Sequence, residues 1–302
     1  MAPLDVVIVN HNAGPHLARC LGSLAAGLAG LDWQALVVDN ASTDGSDRAA
    51  LDLGVRVRLH AAGGNLGFAR AVNVGVRLTS APWLLLLNPD CRLERDVIAP
   101  LVGQLEADAR CAAAAPCVTD EDGTPQGNAR GDPTLFTGVF GRSALLRRLL
   151  PRTRAARRNV VLPEHVPPGV ASVEVDWVAG SCVLVRREAF DAVGGFDERY
   201  FLYWEDADFC RRLRAAGWTI RFLPGARVAH LGAQSARRQP ALARREFHRS
   251  AYLYYRTHVA PAPWDPRRPL ARLLLAARSL ALRLASPTSP LKGDPPPPVQ
   301  DR

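Results

Sequence analysis

Lysine is almost missing from this chain. Lys292 is the only one, so all but one of the 38 basic residues are arginine, and with 29 acids the formal net charge is +9. Such a balance favours anionic partners, whether phosphates, lipid head groups or nucleic acid. A CxxC pair is also lacking. Cys20, Cys91, Cys111, Cys117, Cys182 and Cys210 are scattered, several inside apolar runs, which argues for the reduced thiols of a cytosolic protein and against a zinc site or disulfide framework. No apolar run approaches the length needed to span a bilayer, and the start, MAPLDVVIVN, has no secretory-signal pattern. GxGxxG is absent too. The nearest candidate, GGNLG at 63–67, has another glycine spacing and follows the third strand, which excludes a dinucleotide fingerprint. The arginine excess comes without an aromatic-rich reading surface, so nucleic acid is excluded as the expected partner. What remains is 302 residues, 48% hydrophobic and 22% charged, enough for one large domain or one domain with appendages.

The most informative stretch is WLLLLNPD, Trp83 to Asp90. Five apolar residues read as a fully buried strand, and Pro89 stops it, so Asp90 emerges on a loop at the strand's C-terminal edge. Earlier segments repeat the pattern. Val6–Val9 runs into Asn10, His11 and Asn12, then a helix opened by Pro15 with Leu17, Leu21, Leu24 and Leu28 at helical spacing. Ala35–Val38 runs into Asp39, Asn40, Ser42 and Asp44. Val55–Leu59 precedes GGNLG and a helix burying Phe68, Ala71, Val72, Gly75 and Val76, with Arg70, Asn73 and Arg77 projecting elsewhere. Strands alternating with helices predict an α/β fold with a mostly parallel sheet, and the polar clusters after each strand converge on the rim where such sheets bind ligands.

Beyond Asp90 the pattern predicts a helix near Glu94–Glu106 and a strand near Cys111–Val118. Residues 119–170 form a basic loop, solvated or turned toward a membrane or acceptor. Glu174–Arg186 reads as one strand, and a short helix from Arg187 ends at Gly194 and Gly195. A helix starting at Glu205 places Asp206 on the stripe of Phe209 and Leu213, while Glu205 and Asp208 point elsewhere and Asp208 reaches Arg212 four residues on. An acid on an apolar stripe has a raised pKa and suits a general base; a helix-initiating acid bonded to backbone amides is the alternative. Two short strands, 218–223 and 226–229, lead to His230, an imidazole able to join Asp90 on a divalent cation. From Leu270, residues Leu273, Leu274, Ala277, Ala281 and Leu284 form an apolar helix face opposite Arg272 and Arg283. That face either packs on the domain or lies on a membrane. The proline-rich tail, 287–302, reads as disordered.

Taken together, VVIVNHN, VVDNASTDGS, NLGFARAVNVG, LLLLNPD, the run from WVAGSC to RRLRAAGW, and His230 with Gly232 and Ser235 resemble a family. It is the inverting glycosyltransferases of family 2, with the GT-A nucleotide-diphospho-sugar transferase fold, and within it the bacterial rhamnosyltransferases that build cell-surface polysaccharides. The resemblance covers about residues 4–235 and implies a domain spanning 1–235, followed by the helical extension at 236–286 that either packs on it or associates with a membrane. It implies that Asn10, Asp39, Asn40, Asp44, Asn65, Arg70, Asn88 and Asp90 bind the nucleotide sugar. Asp90 and His230 would hold Mg²⁺ or Mn²⁺, and Asp206 would be the catalytic base. Trp177, Gly180, Trp204 and Glu205 would lie on the acceptor side. Asn88 stands where the family's metal motif usually has aspartate, which implies weaker metal affinity that leans on substrate phosphates. The implied donor is deoxythymidine diphosphate rhamnose, with uridine diphosphate sugars as the alternative, and the implied acceptor is lipid-linked or polysaccharide, reached at the cytoplasmic membrane face. A catalytically silent nucleotide-sugar-binding module is the competing reading.

Overall fold

The computed structural model describes residues 3–51, 56–133, 160–231 and 240–285. Its N-terminal half is the expected succession: β1 (Leu4–Asn10), α1 (Pro15–Gly27), β2 (Trp33–Asp39), β3 (Val57–Ala61), α2 (Phe68–Arg77) and β4 (Trp83–Leu87). Strands β3, β2, β1 and β4 lie side by side and all run parallel, with Asn10 level with Asp39 and Ile8 level with Leu87. Their C-terminal ends therefore share one edge. Every residue of WLLLL is buried, as are Leu17, Leu21, Leu24 and Leu28 of α1.

The second half differs from expectation in its strands. Cys91–Leu93 forms β5, a strand not expected from the sequence, by pairing with a distant strand, and the helix expected near Glu94–Glu106 is α3, which begins only at Ala99 and ends at Ala107. After β6 (Cys111–Thr119) and β7 (Ala129–Arg130), the segment read as one strand is three: β8 (Val173–Glu174), β9 (Trp177–Val178) and β10 (Cys182–Arg186). Each has a different partner. β8 pairs with the last strand and β9 with β7, while β10 slots antiparallel between β4 and β6. Then come α4 (Arg187–Ala192), α5 (Glu205–Ala215) and β11 (Thr219–His230). The two short strands expected at 218–229 are thus one, with a register shift between Leu223 and Arg227 where Pro224 cannot donate to the ladder.

The sheet is sandwiched between two cores. Leu17, Leu24, Ile98 and Leu101 from α1 and its surroundings fill one face; Val72, Val76, Phe190, Phe209 and Leu213 fill the other. Cutting a leucine of β4 such as Leu85 to alanine removes about 2–5 kcal/mol. All six cysteines are free and buried. Gly75 lets α2 lie against β1, since a Cβ there would meet Val7 Cγ1 at 2.5 Å.

The chain closes with α6 (Pro240–Tyr254), a π-helical turn over Tyr255–Val259, and α7 (Arg267–Ala285). On α7 the buried positions are Ala271 and Leu275. The apolar face read from Leu273 and Ala277 looks outward, because the domain takes up the neighbouring stripe instead. No helix among the described residues is long and apolar enough to cross a membrane. Gly232, Ser235, residues 134–159 of the basic loop, the side chains of Arg283 and Leu284, Lys292 and the tail lie outside the described residues.

Candidate active site

The rim of the parallel half is a web of amides and acids. Asn10, fully buried at the end of β1, has Asp39 Oδ1 at 2.9 Å and the hydroxyls of Ser42 and Ser46 at 3.0 Å from its Nδ2. Its amide nitrogen is taken up inside the protein, so Asn10 shapes the loop rather than reaching outward. Asp39 also accepts from the Ser42 amide at 3.1 Å, and Asp44 accepts from the amides of Gly14 and Ser46. Asn40 ties the next loop in: it donates to Asn65 Oδ1 at 3.1 Å and accepts from Leu66 N at 2.7 Å. Arg70 turns away to Glu198 at 3.6 Å. Asn73, expected to project outward, is buried and clamps the backbone of Phe196 from both sides, a partner 123 residues away.

Gly67 makes the junction with the far half. Its φ is +80°, and a Cβ would stand 2.5 Å from the carbonyl oxygen of Phe201, whose oxygen accepts from Phe68 N. Only glycine suits both demands. The loop leading to α5 is thereby pinned to the loop of Asn65.

At the centre of the rim, Asp90 Oδ1 lies 3.1 Å from His230 Nε2, because β11 pairs His230 with Cys91. Gln126 sets the imidazole. Its Nε2 donates to Asp120 Oδ1 and to the His230 carbonyl, both at 2.7 Å, leaving Oε1 to accept from His230 Nδ1 at 2.8 Å. With the proton assigned to Nδ1 by this network, Nε2 is left facing the carboxylate. An imidazole nitrogen and a carboxylate oxygen this close can share a cation, so the pair fits a metal ion. The ligand atoms of Asp90, Cys91 and His230 lie within 4.8 Å of one another. The Cys91 thiol bonds the Ser181 carbonyl and burial pushes its pKa well up, so oxygen and imidazole are the available donors, a set suited to Mg²⁺ or Mn²⁺. Asn88 Nδ2 stands 3.4 Å from the same His230 Nε2. A cavity of about 150 Å³ opens beside Asp90, with Arg19 and Arg92 in its wall.

Asp206 joins this rim through β10. The Gly180 amide donates to Asp206 Oδ2 at 3.1 Å, and the next residue, Ser181, accepts from Asn88 N at 2.8 Å. Desolvation raises the Asp206 pKa against the amides of Gly180 and Ala207, which lower it. The residues flanking it depart from expectation. Glu205 and Asp208 are buried, not solvated. Burial and the neighbouring Asp206 charge push Glu205 well up, and its Oε2 has no hydrogen-bond partner among the described residues. Asp208 accepts from Arg212 Nε at 2.7 Å, as the spacing suggested, and also from His258 Nε2 at 2.6 Å. His258 belongs to the C-terminal extension, which covers this side of α5. Trp177 donates to the Gly131 carbonyl at 2.9 Å and stacks under Arg130. Trp204, like Tyr203 before it, sits in the left-handed region at φ 71°, with its indole nitrogen buried and without a hydrogen-bond partner among the described residues. Two consecutive residues in this sparsely populated region stand directly before buried Glu205 and half-buried Asp206.

Sequence reasoning missed Gln126, hidden in a stretch that reads only as a turn, and His258. An aspartate in a helix names no partner 50 residues on.

Solved structures share this architecture. One, GalNAc-T7 with UDP, GalNAc and Mn²⁺, superposes with a TM-score of 0.59 at 18% identity, over 92% of this chain and 54% of that one. Another, the mannosyltransferase PcManGT of Pyrobaculum calidifontis with GDP-Man and Mn²⁺, gives 0.56 at 17% identity, over 95% and 76%. The fold is therefore GT-A. The family model for glycosyl transferase family 2 matches residues 5–194, and that for glycosyl transferase family group 2 matches residues 149–285. The chain belongs to glycosyl transferase family 2 and is a glycosyltransferase. It is 37% identical to the N-acetylglucosaminyl-diphospho-decaprenol L-rhamnosyltransferase of Mycobacterium tuberculosis over 89% of this chain and 90% of that one. It is 28% identical to the rhamnosyltransferase WbbL of Escherichia coli K12 over 56% and 62%.

Proposed function

We propose that this protein transfers L-rhamnose from deoxythymidine diphosphate rhamnose to a lipid-linked acceptor carrying a diphosphate-bound sugar, at the cytoplasmic face of the membrane, with inversion at the anomeric carbon. The observation that supports it is the run of contacts from Asp206 to Gly180, and from the adjoining Ser181 to Asn88, which leads from a raised carboxylate toward the turn of Asp90 and its partner His230. The relative from Mycobacterium, similar along nearly its whole length, supports the choice of sugar and acceptor.

In this reading residues 1–235 are the transferase domain and 236–286 an extension of it. Asp39, Asn40, Asp44 and Asn65 frame the nucleotide, and Asn10 holds their loops in place. Asp206 Oδ takes the acceptor hydroxyl proton as that oxygen attacks the anomeric carbon. The bond from that carbon to the diphosphate breaks, and its electron pair leaves on the diphosphate oxygen. A base whose pKa lies above the ordinary aspartate range transfers a proton more effectively near neutrality. Mg²⁺ or Mn²⁺ bound at Asp90 and His230 supplies charge stabilisation to the departing diphosphate. Burial and the Asp206 charge beside it push the Glu205 carboxyl up, which disfavours a second negative charge next to Asp206. Trp204 and Trp177 offer flat apolar walls to the acceptor sugar.

The test is a thermal-shift panel of nucleotide sugars with and without Mn²⁺, followed by transfer assays with a diphosphate-linked N-acetylglucosamine acceptor. Stabilisation by the rhamnose donor, deepened by Mn²⁺, and turnover are expected, because a ligand that binds only the native state raises its melting temperature. A larger shift with uridine diphosphate sugars would replace the donor. Binding without turnover on any acceptor would favour the silent module.

A further inference from the structure

The apolar side chains left in water are gathered, not scattered. Of the eight large hydrophobic residues exposed among the described residues, five lie between Trp264 and Leu282. Trp264 is 83% exposed, and Leu270, Leu273 and Leu280 are 50, 67 and 56% exposed. At helical spacing Leu270, Leu273, Ala277, Leu280 and Ala281 fall within about 100° of arc, and both alanines are exposed as well. The neighbouring stripe, Ala271 and Leu275, anchors α7 to the protein. A continuous outward apolar stripe of this kind marks an interaction surface.

Its occupant is named by charge. Residues 240–285 contain nine arginines and two acids, and α7 itself has five arginines and no acid. Arg272, on the flank of the stripe, is exposed and has no ion pair among the described residues. A second copy of the chain would bring arginines against arginines, so the surface does not complement itself. An anionic bilayer satisfies both demands: acyl chains accept the leucines, head groups accept the arginines, and an exposed tryptophan suits the interface between them. We infer that the outward face of α7, with Trp264, docks this protein in the plane of an anionic lipid surface. The membrane location of the acceptor rests on the proposed function; the docking surface rests on the exposure and charge just given.

The surface is coupled to the site by packing. Arg278 of α7 lies 5.2 Å over the ring of Phe247 in α6, and that ring is 5.9 Å from Trp204, which directly precedes Glu205 and Asp206. One aromatic layer thus joins the membrane-facing helix to the loop that carries the base, which suits an acceptor sugar held close to its lipid.

Flotation of the full chain with vesicles of mixed phosphatidylglycerol and phosphatidylcholine, compared with phosphatidylcholine alone, tests this. The wild type should float with the anionic vesicles only. The double variant Leu273→Gln, Leu280→Gln should lose binding by about tenfold or more, with an unchanged melting temperature and unchanged transfer to a water-soluble acceptor, since both side chains already face water. A wild type that stays at the bottom of the gradient overturns the inference, as does a double variant that floats normally. A double variant that turns a dimer into a monomer by light scattering while still floating assigns the stripe to a second copy instead. An inactive chain that floats would sink the proposed function and leave this surface standing, and an active chain that does not float would do the reverse.

Discussion

The two ends of α5's environment were built by different means. On the donor side, β1 to β4 are local strand, loop and helix units, each placing its polar cluster at the same sheet edge within a few residues of its own strand. On the acceptor side, every feature around Asp206 comes from elsewhere: Gly180 from the loop before β10, Phe201 against Gly67, His258 from beyond α6. Local strand, loop and helix units organise most of the first region, tied to the far half at Gly67 and Asn73, and long-range pairing organises the second. The first should accordingly tolerate loss of its distant neighbours, and the second should not.

The sharpest blow to that contrast is Asp206→Asn. Transfer should fall by about a thousandfold, within the range general-base catalysis contributes, while donor binding by calorimetry survives, because the donor loops do not depend on Asp206. Loss of both together would show that the halves are not separable. The acid limb of the wild-type rate profile should also lie above the ordinary aspartate value, since desolvation raises this carboxyl.

Gln126→Ala comes next. Removing the group that orients His230 should weaken Mn²⁺ binding by about 10–100-fold, read by calorimetry, and nucleotide binding without metal should be unaffected. Unchanged Mn²⁺ affinity would remove Gln126 from the site.

His258→Ala should cost about 1–3 kcal/mol in denaturant unfolding by leaving buried Asp208 short of one partner, with Arg212 still in place. It should lower kcat through the displaced α5. A variant as stable as the wild type would mean that the extension does not brace this helix.

The smallest effect belongs to Glu205→Gln. The folded-state pKa of Glu205 lies above its unfolded value, so its contribution is fully present below about pH 4 and is lost as pH rises through the raised folded value. The melting temperature of the variant should therefore exceed that of the wild type at neutral pH, and the gap should close on acidification. A gap independent of pH would show that the carboxyl is not strained by burial.

Much of this molecule was legible in its residues. WLLLL followed by Asn-Pro-Asp announced both a buried strand and an acid at its edge, because an apolar run followed by proline leaves little choice. His230 was legible as an imidazole closing a strand, and Asp206 as an acid in the first turn of its helix, although its side chain is half-buried rather than turned fully into the apolar stripe. Its immediate neighbours were not. Helical spacing only turns Glu205 and Asp208 away from the Phe209 and Leu213 stripe; both are buried, with Tyr254 packed at Trp204 beside them and His258 bonded to Asp208. Asn73 looks like a surface amide until Phe196 arrives from another turn of the chain. The single strand expected over 174–186 breaks into three because three different partners claim its parts.

The residues alone thus determined the parallel half, its rim of polar loops and the identity of the acids and the imidazole, since each follows from spacing within one element. Tertiary structure alone decided which acids are buried, how Gln126 aims His230 and which face of α7 meets water. Those depend on contacts between separate segments of the chain, and a linear pattern carries no information about which side chain from another segment will fill the space beside it.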